Sequence, residues 1–360
     1  MQKSKVLLIG GTGVAGKCIL NHLSNFFHLC DITIASRGVI PSESHPDVAY
    51  MKLDLLQANE CEDSLKMFDI IILALGPFFS VGLDIYRICL KNRIVCIDIN
   101  DEYEHLEKLS VLSSMSPSNP QGRVLTGMGL CPGLTSLMLH IAAIEFMDAT
   151  LEAGIRLYFG AGVRSGKASI DNMFHAFRNR LIVLSQGQSL VVKPGKYKRS
   201  TKFSFDPEHQ KVSLTYFSSP EVATLRHNQT FKNLKDFDAA FHLQNFPKWL
   251  IYLSRKYVWV NNWCRNMAYK QQQDLANNKW NERIVLVNAQ VADGINKRSV
   301  SLTAASSFEL TGAFCAAIVV MLLRGQISMN SVVSSFDDLS LDLTVLQSLL
   351  QSFGLNIIKQ

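Results

Sequence analysis

The stretch that decides the fold lies at the start of the chain: Lys5-Val6-Leu7-Leu8-Ile9-Gly10-Gly11-Thr12-Gly13-Val14-Ala15-Gly16. Its first five residues are a short apolar run, which predicts a buried strand. Glycines follow at once, and from Lys17 to Phe27 apolar residues recur at helical spacing. A second apolar run, Asp31-Ile32-Thr33-Ile34-Ala35, predicts the next strand. In this G-x-G-x-x-G pattern Gly11 is expected to permit the tight turn. Gly13 would let the backbone approach a pyrophosphate, and Gly16 would let the helix pack close to the strand. The helix N-terminus adds unpaired N–H donors and partial positive charge for the anion. Gly10, Gly11, Thr12, Gly13, Val14 and Ala15 are therefore candidate cofactor contacts.

The end of the second strand discriminates between dinucleotides. An Asp or Glu there, about 20 residues beyond the glycines, hydrogen-bonds the ribose 2′-OH of NAD. This chain has Ser36 and Arg37 instead, and no carboxylate until Glu43. A guanidinium presents a planar fork of donors suited to a phosphate, and the Ser36 hydroxyl adds another. The pair predicts NADP(H) over NAD(H).

Downstream, strand and helix patterns alternate. Strands are expected at Tyr50–Asp54, Asp69–Leu75, Ile94–Asp98 and Arg123–Thr126, with helices near Asn59–Met67 and Gly82–Lys91 and another opening at the D-x-x-E pattern of Asp101 and Glu104. Such alternation predicts a doubly wound parallel sheet with helices on both faces. Asp54, ending the third strand, and Leu75, Gly76 and Pro77, ending the fourth, complete the candidate cofactor set, because ligands sit outside the carboxyl ends of such strands.

The texture changes after Gly127-Met128-Gly129-Leu130-Cys131-Pro132-Gly133. A long apolar helix is expected over Leu134–Met147. Longer strands follow at Leu151–Phe159, Ser189–Val192, Lys211–Phe217, Arg283–Asp293 and Ser299–Ser306, with a hairpin turn at Asp293-Gly294. This predicts an inserted α+β domain, mainly antiparallel, over 131–306. A helix from Glu309 to Arg324, stopped by Gly325, then opens a C-terminal segment, 307–360, that returns to the Rossmann domain of 1–130.

Composition agrees with a chain built around large cores: 48% hydrophobic and 18% charged residues. The formal charge of +6 suits anionic ligands, but no dense Lys/Arg run points to nucleic acid. The eight cysteines include no C-x-x-C pair and read as free thiols in a reducing compartment, with no metal site. The N-terminus enters a strand directly, so no signal peptide is expected and a cytoplasmic location is. The apolar stretch Ala313–Leu323 is too short to span a bilayer, which takes about 20 residues. The aromatic–basic segment 246–263 holds Trp249, Tyr252, Tyr257, Trp259 and Trp263 beside Lys248, Arg255 and Lys256. It reads first as a helical insertion packing on its own domain or a second subunit, and second as a lipid or apolar-substrate surface.

Several segments together resemble the saccharopine dehydrogenase-like family of NAD(P)-dependent oxidoreductases: Gly10–Gly16, Asp69–Phe78, Arg93–Glu102, Gly127–Leu134, Ser219–Leu225 and Thr311–Ile327. The resemblance implies a Rossmann domain, an inserted α/β domain and a C-terminal segment completing the first. It also implies a small-molecule substrate and an oxidoreductase. A homodimer is expected as well.

Candidate chemistry is sparse. Asp98, ending the fifth strand, is placed either to orient a ribose, an amine or a proton donor, or to cap a turn. Arg164, Ser165 and Lys167, before a helix expected over Ile170–Val183, form a candidate carboxylate site or a solvated basic loop. His175 reads as a partly buried histidine. Cys131 has no spaced base to activate it. Tyr252 and Lys256 spell Y-x-x-x-K far from the Rossmann strands, an accidental match. The leading expectation is NADP(H)-dependent hydride transfer to or from an imine or iminium carbon of an amino-acid- or polyamine-derived substrate. The alternatives are reduction of a lipid-like enoyl or keto group, and a non-catalytic dinucleotide sensor.

Overall fold

In the computed structural model the opening run forms β1 (Ser4–Ile9) and the glycine turn leads into α1 (Val14–Leu23). The structure describes residues 3–38, 45–55, 61–114, 121–146, 149–178, 180–192, 202–205, 211–244, 246–277 and 284–360. Then come β2 (Cys30–Ser36), β3 (Ala49–Lys52), α2 (Glu62–Leu65), β4 (Ile70–Leu73), α3 (Asp84–Lys91), β5 (Val95–Asp98), α4 (Tyr103–Ser114) and β6 (Arg123–Leu125). All their pairings are parallel, in the order β6-β5-β4-β1-β2-β3. The order reverses between β1 and β4, the switch point at which such sheets bind ligands. Every residue of β4, and the last four of β1, is buried, as helix-covered parallel strands require.

The chain divides into two compact units, one of residues 1–134 with 308–355, the other of 135–307 with 356–360. The first unit is thus completed from the C-terminal end. The helix Ser307–Leu323 is continuously buried from Gly312 to Met321, as the apolar run over those residues requires. A Cβ on Gly312 would lie 2.5 Å from the Cβ of Cys18, so this glycine lets the helix lie close on α1. His22 Nε2 and Glu309 Oε1 join the two helices at 2.8 Å. A short strand, Val333–Ser334, adds a seventh parallel member beside β6, which the sequence pattern did not reveal. Among the described residues no helix is long and apolar enough to cross a membrane.

The second unit opens with α5 (Leu134–Ala143) and β7 (Leu151–Phe159), followed by α6 (Lys167–Arg178), β8 (Leu181–Ser185) and β9 (Gln188–Val192). Helix α6 ends five residues before the expected Val183. Leu181-Ile182-Val183-Leu184 is a strand instead, because it pairs with β9 and buries its apolar side chains in the sheet. The expected strand 211–217 is two short ones, Val212–Ser213 and Thr215–Phe217.

The largest difference is Leu234–Leu243, a ten-residue strand that the sequence pattern did not reveal. It pairs parallel with β7 along its length, so the sheet, mainly antiparallel as expected in its other pairings, is mixed. Asp236 and Asp238 disguise it by breaking the apolar pattern. Asp238 is fully buried, and its Oδ1 meets Arg156 Nη2 of β7 at 2.6 Å. The Arg156 guanidinium lies against Gly154, where a Cβ would stand 2.9 Å from Nη1, so the glycine opens the space the ion pair fills. The hairpin Val285–Ala292 and Lys297–Ala304 forms around Gly294, whose φ of +90° is left-handed. The last strand, Ile358–Lys359, pairs with Lys297–Ala304. Residues 356–360 therefore belong to the second unit, and the returning segment stops at Leu355.

Candidate functional site

At the end of β1 the chain must turn sharply beneath the carboxyl end of β4. Gly10 makes that turn with φ +84°, and a Cβ on it would lie 2.4 Å from the Ala74 carbonyl oxygen. The left-handed turn therefore belongs to Gly10 and not to Gly11, which is instead pressed against the Ile34 side chain of β2. Gly16 packs α1 onto the turn, since a Cβ there would stand 2.3 Å from the Gly10 oxygen and 2.6 Å from the Gly11 Cα. Gly13 differs. It is the exposed N-cap of α1, and a Cβ on it would touch only the Gly10 oxygen, at 3.2 Å. A side chain at Gly13 would need the Gly10 oxygen to give by only a few tenths of an ångström. No side chain caps α1 either, so the N–H groups of its first turn have no side-chain acceptor at the cap. A glycine that packing hardly requires, at an uncapped helix N-terminus and a switch point, forms a cradle that fits a pyrophosphate.

Ser36 ends β2, half-buried, with Arg37 exposed after it. In register with Ser36 on β3 stands Lys52, an exposed cation not singled out in the sequence. Only strand register could reveal it. Asp54 is half-buried two residues beyond β3. Leu75, Gly76 and Pro77 follow β4, so the candidate cofactor residues gather at the carboxyl edge of one sheet.

The same edge holds a buried polar network. Asp98 is fully buried, and both its oxygens are engaged. Oδ1 accepts from the Asn100 N–H (3.0 Å), the Thr126 hydroxyl (2.9 Å) and the Gly127 N–H (2.8 Å), while Oδ2 accepts from the Tyr86 hydroxyl (2.9 Å). Burial raises its pKa, opposed first by the Gly127 hydrogen bond. Asp98 ties the β5 loop to the loop after β6. His105 Nε2 lies 3.2 Å from the Tyr86 oxygen, and burial lowers the histidine pKa.

Glu102 is the residue that sequence reasoning missed. It is 8% exposed, and its carboxylate accepts hydrogen bonds from the Phe78 and Phe79 N–H groups of the loop after β4. Its Oε1 is buried with no hydrogen-bond partner. Burial, aided by neighbouring Asp101, pushes its pKa up to about 7 against those two hydrogen bonds. A carboxyl poised near neutrality at a switch-point edge suits proton exchange. Nothing local marks it, because its neighbours Asp101 and Glu104 look equally acidic in sequence.

In the second unit Arg164 is exposed on the loop between β7 and α6 and Lys167 is exposed at the first position of α6, with Ser165 half-buried between them. The Ser165 N–H already donates to Gln272 Oε1 at 2.8 Å, and Gln272 Nε2 donates to the Val163 oxygen, so the loop is braced from within its own unit. His175 is half-buried on α6. Tyr252 and Lys256 lie on the helix Lys248–Lys256, outside the Rossmann sheet. Among the described residues no cluster could hold a metal ion, and the eight cysteines are free.

No protein-family model matches this sequence, and no curated protein matches it. Solved structures do share its architecture. Saccharopine dehydrogenase (L-Glu forming) from Saccharomyces cerevisiae aligns over 99% of this chain and 100% of its own, with a TM-score of 0.61 at 14% identity. An engineered D-amino acid dehydrogenase bound to NADP+ aligns over 96% of both chains, with a TM-score of 0.49 at 12% identity. The chain therefore has a saccharopine dehydrogenase-like fold, a Rossmann α/β unit with a second, mixed-sheet unit.

Proposed function

We propose that this protein is an NADP(H)-dependent oxidoreductase that transfers hydride to or from an imine or iminium carbon of an amino-acid- or polyamine-derived substrate. The observation that carries the reading is Gly13, whose missing side chain the packing scarcely explains and a closely approaching pyrophosphate does. Gly10 to Ala15 would hold that pyrophosphate, Ser36, Arg37 and Lys52 the 2′-phosphate, and Asp54, Leu75, Gly76 and Pro77 the remaining edge of the cofactor. The bound nicotinamide supplies the hydride. The fold likeness to a saccharopine dehydrogenase supports an amino-acid-derived substrate.

The chain's own residues divide the remaining work. Asp98, with both oxygens engaged, positions the loops after β5 and β6. Glu102, whose carboxylate accepts from the Phe78 and Phe79 N–H groups, holds the loop after β4 at the same edge. An iminium already carries positive charge, so its reduction needs positioning and a dry cleft more than a strong acid. Arg164 and Lys167 would attract a substrate carboxylate.

Calorimetric titration with NADPH and NADH tests the cofactor, and NADPH oxidation with amine and 2-oxo acid mixtures tests the reaction. Tighter NADPH binding and substrate-dependent oxidation are expected. No heat from either coenzyme with folded protein overturns the proposal. Binding without turnover across imines, ketones and enoyl thioesters overturns the catalytic part and leaves a dinucleotide sensor.

A further inference from the structure

The helices Lys248–Lys256 and Val258–Asn277 carry an unusual surface. From Phe246 to Gln273 the chain contains Lys248, Arg255, Lys256, Arg265 and Lys270 but no Asp or Glu. Trp259, Trp263 and Met267 recur every fourth residue, so they form one stripe along the second helix. They are 71%, 51% and 46% exposed. Exposed Tyr257 extends the stripe, its ring centroid 6.4 Å from that of Trp259. Lys256 Nζ lies 5.1 Å over the Tyr257 ring at one end, and exposed Lys270 follows Met267 by one helical turn at the other. Trp249 and Tyr252 are exposed on the first helix as well.

The opposite side of the longer helix anchors it. Val260, Asn261 and Cys264 are buried, and the Asn261 amide donates to the Phe174 oxygen of α6. Arg265 pairs with Asp171 at 3.8 Å, and Arg255 donates to the Tyr216 oxygen, so both are turned to their own unit. Lys248, Lys256 and Lys270 remain exposed. Scattered single hydrophobics on a surface need no explanation, but a contiguous aromatic stripe bracketed by lysines does.

We infer that this face is an interfacial membrane-binding surface, with the Tyr257–Trp259–Trp263–Met267 stripe seated among lipid headgroups and Lys256 and Lys270 paired with anionic phosphates. Tryptophan and tyrosine rings suit the boundary between headgroup and acyl chain, and lysines beside them suit an anionic leaflet. A second copy of the chain fits less well. A two-fold contact sets this patch against itself, and its three exposed lysines, with no Asp or Glu among residues 246–273, repel their own image. A nucleic acid would satisfy the lysines but leave Val258 and Met267 without apolar partners. The inference is independent of the cofactor reading.

The test is co-sedimentation of the full chain with vesicles of phosphatidylcholine alone and of phosphatidylcholine with phosphatidylglycerol, alongside tryptophan fluorescence. Binding to the anionic vesicles is expected, at least tenfold tighter than to neutral ones, weakened by salt, and with a blue-shifted emission. Trp259→Ser/Trp263→Ser and Lys256→Glu/Lys270→Glu should each weaken it at least tenfold without shifting the thermal midpoint. Should the tryptophan variant fold poorly, the lysine variant decides alone. Absent vesicle binding, or binding that the variants retain, overturns the inference. So does a wild-type dimer that the variants dissociate, or a preference for duplex DNA over anionic vesicles.

Discussion

Replacing Glu102 by Gln separates the electrostatics of this carboxyl from its packing. Burial raises its pKa from 4.5 to about 7. Below pH 4.5 the group is protonated in both folded and unfolded chains and contributes no difference. Between 4.5 and 7 the unfolded chain releases the proton while the folded chain keeps it, so the unfolded state binds fewer protons and stability falls as pH rises. Above 7 the penalty is complete. At about 1.4 kcal/mol per unit the shift corresponds to roughly 3 kcal/mol as an upper bound, and residual solvent access brings the expected loss to about 1–3 kcal/mol. Glutamine cannot ionise. Its oxygen can accept from Phe78 and Phe79, which leaves its amide group at the place of the unpartnered Oε1, at a pH-independent cost of about 1–3 kcal/mol. The readout is therefore the slope and not the absolute stability. Urea denaturation at pH 5, 6, 7 and 8 should show wild type losing about 1–3 kcal/mol relative to Glu102→Gln across that range. A wild-type-minus-variant difference that stays constant with pH refutes the buried-carboxyl argument.

Gly13→Ala should leave the thermal midpoint within about 2 °C of wild type but weaken NADPH binding by about tenfold or more, whereas Gly16→Ala, whose Cβ meets backbone at 2.3 Å, should cost about 2 kcal/mol or more in denaturation experiments. Equal effects of the two on stability contradict the division of labour between these glycines. Arg37→Ala should raise the NADPH dissociation constant by about tenfold to a hundredfold, as loss of a charged hydrogen bond implies, with NADH binding unchanged. An undiminished preference for NADPH in calorimetry removes Arg37 from the 2′-phosphate site. Tyr86→Phe strips Asp98 Oδ2 of its donor in a fully buried site and should cost about 1–3 kcal/mol, read by urea denaturation. A variant as stable as wild type would mean that the network does not hold the β5 edge.

The first unit was legible because its signals are short in range. A strand, a turn that only glycine can make and a helix with an apolar face lie within about twenty residues, and each is dictated by local sterics and periodicity. The alternation from Ile32 to Leu125 and the return of the helix Ser307–Leu323 followed from the same patterns. The second unit was less legible. Leu234–Leu243 carries two aspartates, and it becomes a strand between β7 and β8 because Arg156, far away in sequence, neutralises Asp238.

By itself the sequence determined where the chain turns and which runs seek burial, hence the Rossmann architecture and the glycine cradle with Ser36 and Arg37 at the strand edge. Tertiary structure alone decided which glycine takes the left-handed turn, that Lys52 stands in register with Ser36, that both Asp98 oxygens are engaged, and that Glu102 is the carboxyl held near neutrality. The reason is physical. Backbone sterics and apolar periodicity act between near neighbours, whereas register, desolvation and hydrogen-bond satisfaction are set by segments that meet only when the chain has folded.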